Sequence, residues 1–372
     1  MHESTLEAYE RIGGDYAVRR GVQDPDRAER LASEAAGILP RRVLDLGCGP
    51  GHYLRLLGPS PVGADAVRSM VEAARSANPT VPVVRCDLAR LPFGRHTFSG
   101  VWASKAHQHL PGAHLPLALA EVHRVMSVGG RLELTVFTHP SARSAPHGVA
   151  EEVSTPDSGD DIPGRWFTWW DPDRLAAVVT DAAFAVEDLR TSPPERSGIA
   201  KVSISARAVL ALPDHVGPGM RLLCCGINPS VHAAEAGVGY VTGSNRFWPA
   251  LQAAGLCDVP RDPRRLLRER SIGMTDLVKR PTPRASDLTS DDYVPSLDRL
   301  ARLCSWLEPR SLVVVGIGPW RVASGDRKAV VGWQPHPVGP TPVYVMPSTS
   351  GLNARVSLAE LASHLRAAAA GP

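Results

Sequence analysis

The feature that most restricts the fold of this chain is the run Arg42-Val43-Leu44-Asp45-Leu46-Gly47-Cys48-Gly49-Pro50-Gly51. An apolar stretch flanked by turn residues reads as a parallel strand buried on both faces. It opens straight into three glycines within five residues, and a helix-like segment follows. Such a turn lets a ligand approach bare backbone in the crevice beyond the strand's carboxyl end, although it also suits an ordinary tight βα turn. Val62-Gly63-Ala64-Asp65 reads as a second strand, ending in a carboxylate 20 residues after Asp45. An acid at that point can accept both hydroxyls of a ribose. Residues 81–87 form a third strand ending in Asp87, and residues 97–103 and 130–136 supply two more. Helical stretches at 69–77 and 115–126 alternate with them, which predicts a doubly wound α/β sheet.

The chain has 372 residues, enough for two domains. Its 43% hydrophobic and 21% charged content is a globular mix able to bury real cores. No apolar run reaches the length of a membrane span, and no basic-then-apolar leader is seen, so a cytoplasmic protein without a membrane partner is expected. The six cysteines contain no C-x-x-C pair, which argues against zinc-finger or iron–sulfur sites and for a reducing setting. The alternation Lys201-Val202-Ser203-Ile204-Ser205-Ala206-Arg207-Ala208-Val209 predicts a last strand of the first domain. After it, residues 211–219 hold two prolines and two glycines and are expected to be the linker. The expected domains are therefore 1–212 and 213–372. They carry net charges of −2 and +5, so the second half is mildly basic, as a nucleic-acid partner would favour.

On these residues, 43–136 resemble a class I S-adenosylmethionine-dependent methyltransferase of the small bacterial kind with VLDLGCGPG. Dinucleotide dehydrogenases carry G-x-G-x-x-G where this chain has D-x-G-x-G. The resemblance extends over 1–212, with residues 166–172 introducing a late helix. It implies S-adenosyl-L-methionine as cofactor, with Gly47, Gly49 and Gly51 along the methionine part and Asp45 and Cys48 also in the binding set. It places Asp65 on the ribose, and Asp87 with Leu88 at the adenine. The methyl acceptor stays unassigned: neither an Asn/Asp-Pro-Pro-Tyr/Phe nor a Pro-Cys motif occurs. His107-Gln108-His109, with His114 and His123, raises the question of a metal. We read it instead as a cap on the fourth strand, where this family often has histidines.

The second half opens with an apolar strand, Met220-Arg221-Leu222-Leu223-Cys224-Cys225-Gly226, that turns at Ile227-Asn228-Pro229-Ser230. Tyr240 follows, then Asn245-Arg246-Phe247-Trp248-Pro249-Ala250-Leu251 at the start of a helix whose aromatics read as core. Further on come Gly273-Met274-Thr275-Asp276-Leu277-Val278-Lys279-Arg280-Pro281-Thr282 and Pro347-Ser348-Thr349-Ser350-Gly351-Leu352. These four pieces, in this order over 220–368, resemble the mismatch-specific uracil-DNA glycosylase and thymine-DNA glycosylase family, an α/β/α fold. The resemblance implies excision of uracil, and of thymine, from G·U and G·T mismatches in double-stranded DNA. That would be a base-excision repair activity without a metal. It makes Asn228 the catalytic, water-positioning residue, with Gly226, Ile227, Pro229 and Tyr240 forming the base pocket and Tyr240 stacking on the flipped base. Leu352 becomes the wedge, and Ser350, Gly351, Asn353 and Arg355 become DNA contacts.

An amide is not a base, so Asn228 can orient water but cannot take its proton. The leaving base must therefore be a good one. Ser230 stands where the family commonly has glycine, His232 where it has a small serine, and the closing loop is nearer the eukaryotic thymine-DNA glycosylases. These departures bear on base preference. Only Lys279 and Lys328 occur in the second half, outside the reactive motifs, so a monofunctional glycosylase leaving an abasic site is expected. The basic stretch 261–284 has eight Lys/Arg against three acids and reads as a solvated helix and loop. The expectation is a fusion of the two enzymes. A rival reading makes the second half a non-catalytic damage-binding module that targets a nucleic-acid methyltransferase, and a third leaves the two halves independent.

Overall fold

The computed structural model describes residues 2–158, 160–195 and 197–372. Contacts divide the chain into two units, one ending at Val209 and the other beginning at Leu210. In the first, the strands are β1 Val43–Leu46, β2 Pro61–Asp65, β3 Val83–Arg85, β4 Phe98–Ser104, β5 Met126–Thr138, β6 Val149–Val153, β7 Trp166–Trp170, β8 Phe184–Thr191 and β9 Ala200–Ala208. Seven of them make one sheet in the order β3-β2-β1-β4-β5-β9-β8. Strands β1 to β5 run parallel, while β9 is antiparallel to both β5 and β8. Every residue of β1 and β2 is buried, Asp45 and Asp65 included, as expected of mainly apolar strands in a sheet covered on both faces. The chain steps outward from β1 to β3 and then returns to β4. That reversal opens a crevice at the carboxyl ends of β1 and β4.

Two local features differ from the sequence expectation. The helix after the glycines is a single 3₁₀ turn, Leu54–Leu56, because Gly58, Pro59 and Pro61 follow at once and leave no length for more. Residues 166–170 form a strand hairpinned with β6 before the expected helix, Pro172–Asp181, begins. Asp171 caps that helix, its carboxylate accepting from the Asp173 and Arg174 amides at 3.1 Å. The aromatic and Thr side chains of Trp166–Trp170 favour a pleated surface over a helix start.

In the second unit, β10 Leu222–Gly226, β11 Ile272–Asp276, β12 Leu312–Val315, β13 Gly332–Trp333 and β14 Val343–Met346 form a sheet in the order β11-β10-β12-β14-β13. All but β13 are parallel. Phe247 and Trp248 are fully buried against the sheet with Leu361 and Leu365 of the helix Leu358–Ala370. The expected linker is partly built into this unit. His215 pairs with Met274 through reciprocal backbone bonds of 2.9 Å, and the Asp214 carboxylate accepts from Lys279, Arg299 and Thr275. Its prolines exclude regular structure, but Leu212 and Val216 are apolar and buried. All six cysteines are free thiols. No helix among the described residues is long and apolar enough to cross a membrane.

Candidate active sites

At the β1/β4 reversal lies a cleft of about 580 Å³. Asp45, Gly47, Cys48, Gly49 and Asp65 all stand on its wall. Gly47 has φ +77°, and a Cβ there would lie 2.2 Å from that of Ala106. The turn thus needs glycine both for conformation and for room. Asp65 closes the loop on itself: Oδ2 accepts from the Gly49 amide and Oδ1 from the Val67 amide, each at 2.9 Å. Burial outweighs those donors and lifts its carboxyl above the usual range. Asp45 is buried deeper in consequence of its strand, and burial, with the nearby Asp65 charge, pushes it up to about 8. Its Oδ2 is buried without a hydrogen-bond partner.

Gly51, Asp87 and Leu88 stand off this wall. Gly51 shapes the turn, where a Cβ would meet Asn78 Nδ2 at 2.7 Å. The Asp87 carboxylate accepts from the Ala89 amide at 2.9 Å, and Leu88 is fully buried. The sequence reading missed the far wall, built by Tyr9, Gln23, Lys105, His109, Arg165 and Lys201. Arg165 Nη1 donates to Tyr9 Oη at 2.9 Å, and Tyr9 Oη lies 3.1 Å from His109 Nε2. His109 Nδ1 lies 2.7 Å from the Trp166 carbonyl, so Nδ1 carries the proton and Nε2 accepts from Tyr9. Burial lowers this imidazole to about 3. The histidine after β4 is therefore a neutral link in a hydrogen-bond chain. His123 Nε2 likewise bonds the Val209 carbonyl at 2.8 Å. No group of three metal-ligating side chains is found among the described residues.

In the second unit, Gly226 ends β10 and the Ile227-Asn228-Pro229 turn is stitched to the segment after β11. The Leu277, Val278 and Thr282 amides donate to the carbonyls of Gly226, Ile227 and Pro229 at 2.9, 2.9 and 3.1 Å. Asn228 Nδ2 donates to the Arg280 carbonyl at 3.0 Å and to Thr282 Oγ1 at 2.8 Å. The Thr282 hydroxyl in turn donates to the Arg284 carbonyl at 2.7 Å, which leaves its oxygen to accept from Asn228. A carbonyl can only accept, so the amide nitrogen is held on this side and Oδ1 is turned away from it. Ser230 caps the following helix, Val231–Ala236, accepting from the Ala233 amide at 3.0 Å. This gives the serine at that position a local role.

Tyr240 stacks on Phe247 with ring centroids 3.9 Å apart, in a left-handed backbone conformation of φ +57°. Its hydroxyl is buried without a partner. Strain at a non-glycine residue is tolerated where packing over-determines it, often beside a ligand. A Cβ on Gly226 would lie 2.2 Å from Asp276 Oδ1 and 2.9 Å from the Tyr240 hydroxyl. Two polar heads therefore converge over the bare backbone of Gly226. Burial raises Asp276 to about 6 against the opposing charge of Lys279. Asp276 received no role from the sequence, yet it ends its strand in an acid, the same signal that singled out Asp65.

The closing loop is organised by Arg246, also without an assigned role in the sequence. Its guanidinium donates to the carbonyls of Val356, Asn353 and Ser350, and its amide donates to the Thr349 carbonyl at 2.9 Å. A Cβ on Gly351 would meet Ser244 Cβ at 2.7 Å, so the loop packs too closely for any other residue. Asn353 Nδ2 donates inward to the Ser348 carbonyl at 2.9 Å. Leu352 is 96% exposed, and Arg355 is exposed beside it. An apolar side chain presented in this way contributes almost nothing to the fold. If Leu352 is the wedge that the resemblance implies, Leu352→Ala is expected to leave the melting temperature unchanged while slowing uracil release from duplex DNA about tenfold or more, with less effect on single-stranded substrate. An equal loss on both substrates would remove the wedge role. Ile227 and Asn353 share a second cleft of about 460 Å³ with Tyr293, Gly316 and Ser348. In the basic stretch, the exposed Arg265 and Arg280 and the partly exposed Arg270 are paired with Glu269, Asp292 and Asp258. That fits the solvated reading.

Residues 43–130 match a family model described as a methyltransferase domain. Residues 213–368 match that of the uracil DNA glycosylase superfamily. The chain thus joins a methyltransferase domain to a member of the uracil DNA glycosylase superfamily. Among solved structures it is similar to an S-adenosylmethionine-dependent methyltransferase from Methanosarcina mazei, at 18% identity over 45% of this chain and 92% of that one, with a TM-score of 0.39. It is also similar to the 1,6-didemethyltoxoflavin-N1-methyltransferase of Burkholderia thailandensis with bound 1,6-didemethyltoxoflavin and S-adenosylhomocysteine, at 18% identity over 55% and 88%, TM-score 0.38. A third is an S-adenosylmethionine-dependent methyltransferase from Mesorhizobium loti, at 21% identity over 49% and 99%, TM-score 0.37.

Proposed function

We propose that the second unit is a monofunctional DNA glycosylase that hydrolyses the N-glycosidic bond of uracil, and of thymine, opposite guanine. The observation that carries this is the orientation of Asn228: its amide nitrogen is bound to the Arg280 carbonyl and Thr282, leaving Oδ1 to accept a hydrogen from water. Base removal requires the nucleotide to leave the stack. One face of Tyr240 is taken by Phe247, and the extruded base would stack on the other. Leu352 fills the gap, and Ser350 and Arg355 hold phosphates without reading sequence. Asn228 directs the water oxygen at C1′. As the C1′–N bond breaks, the bonding pair departs with the base, water adds to C1′, and its proton is passed on through solvent, since an amide cannot take it. The product is an abasic site. Lys279 is engaged by Asp214 at 2.8 Å, which disfavours Schiff-base chemistry there. Incubating the full chain with G·U, G·T and fully paired duplexes, followed by alkaline cleavage, tests the reading. Cleavage at uracil is expected. Binding to the mismatch without base release would instead favour the damage-binding module.

For the first unit we propose S-adenosyl-L-methionine binding in the glycine-lined cleft. The residues fit: glycines where a Cβ has no room, and the unpartnered Asp45 oxygen. Gly47, Cys48, Gly49 and Gly51 would shape the methionine part, Asp65 would hold the ribose, and Asp87 and Leu88 would lie toward the adenine. The cofactor, when bound, supplies an activated methyl group on its sulfonium. The chain's own contribution is chiefly alignment, so few catalytic side chains are required. A DNA-repair role and residence in the cytoplasm are further parts of this proposal.

A further inference from the structure

The reversal between β1 and β4 divides the cleft. The glycine turn and Asp65 occupy the β1 and β2 ends, the half proposed for the cofactor. The remaining wall comes chiefly from β4 onward: Lys105 follows β4, Phe137 lies in β5 and Lys201 sits opposite Phe137 in β9, while the N-terminal helix Glu3–Arg19 adds Tyr9. Two cations on this wall are matched by acids, Arg20 by Asp161 at 2.6 Å and Arg165 by Asp160. Lys105 and Lys201 are arranged differently. Both donate to one neutral atom, Gln23 Oε1, Lys201 from 3.1 Å. Burial, then the Lys201 charge, lowers the Lys105 ammonium to about 8, with Asp24 and Glu195 opposing and Arg20 adding to the effect. Lys105 is also held at φ +60°, its amide bonded to the Thr135 carbonyl at 2.8 Å. A strained, half-buried lysine aimed at a second lysine across a single amide oxygen is a poor arrangement without a ligand. A carboxylate or phosphate would replace the Gln23 oxygen with two charge-assisted bonds.

We infer that the methyl acceptor is a small anion, its carboxylate or phosphate seated between Lys105 and Lys201 and its apolar body against Phe137 and Tyr9. A cleft of about 580 Å³ lies within the range of small-molecule sites. The inference rests on the cofactor taking the glycine-lined half, so the two are tested separately. The affinity of the full chain for S-adenosylhomocysteine is measured first by calorimetry. The loaded protein is then titrated with benzoate, phenyl phosphate and the neutral benzamide, and the preferred anion tells carboxylate from phosphate. At least one anion is expected to bind about tenfold or more tighter than benzamide. Lys105→Met and Lys201→Met are each expected to weaken that anion about tenfold while leaving S-adenosylhomocysteine affinity unchanged. Lys201→Arg, which keeps the charge, is expected to restore it. Equal binding of benzamide, no binding of either anion, or a loss confined to S-adenosylhomocysteine would overturn the inference, the last by placing the lysines on the cofactor's carboxylate. Failure of the wild-type chain to bind S-adenosylhomocysteine at all would overturn the cofactor reading as well, and so is a distinct result.

Discussion

Replacing Asn228 by alanine is expected to slow single-turnover release of uracil from a G·U duplex by about a hundredfold or more. The variant should still fold. Its lost bonds, to the Arg280 carbonyl and to Thr282, are partly exposed, and about 1 kcal/mol each is the usual cost. Asn228→Asp is the sharper test of geometry. A carboxylate has no hydrogen to donate to the Arg280 carbonyl, so it cannot be held in the same orientation, and its charge faces that carbonyl oxygen. Comparable losses in both variants, with DNA affinity changed far less than rate, are the expected pattern. Full activity in Asn228→Ala would remove the water-positioning role, because no other feature of that turn presents an acceptor held in the same way.

The second large effect is expected at Asp65. Its carboxylate accepts from the Gly49 and Val67 amides, bonds to a charged acceptor worth about 1.5–3 kcal/mol each when buried. Asp65→Ala removes the tie that shapes the glycine turn as well as the proposed ribose acceptor. S-adenosylmethionine affinity is expected to fall by about a hundredfold or more, with a lowered melting temperature. In Asp65→Asn one oxygen can still accept, so an intermediate loss is expected. Isothermal titration of both variants, alongside thermal melts, separates binding from folding. Unchanged affinity in a folded Asp65→Ala chain would contradict the assignment.

Much of this architecture is legible in residue order. Unbroken apolar runs such as Leu312–Val315 mark strands covered on both faces, and glycine turns mark where strands such as Val43–Leu46 end. Acids closing strands single out Asp65, and the same pattern at Asp276 was available but unused. Less legible was the strand Trp166–Trp170, because aromatic residues before Asp-Pro also suit the approach to a helix. The segment 211–219 had the composition of a linker. Its apolar residues and Asp214 nevertheless find partners in the second unit.

The sequence by itself determined the two α/β units, the glycine-lined crevice of one and the ordered motifs of the other, because strand, turn and strand-end acid are local patterns. Tertiary structure alone decided which way the working side chains face. Asn228 is oriented by Thr282, 54 positions away, and the closing loop by Arg246, 107 positions from Asn353. Lys105 and Lys201 meet only because β9 returns beside β5. Periodicity records which face of an element is buried. The direction of a hydrogen bond depends on a partner that the fold, and not the neighbouring sequence, brings within 3 Å.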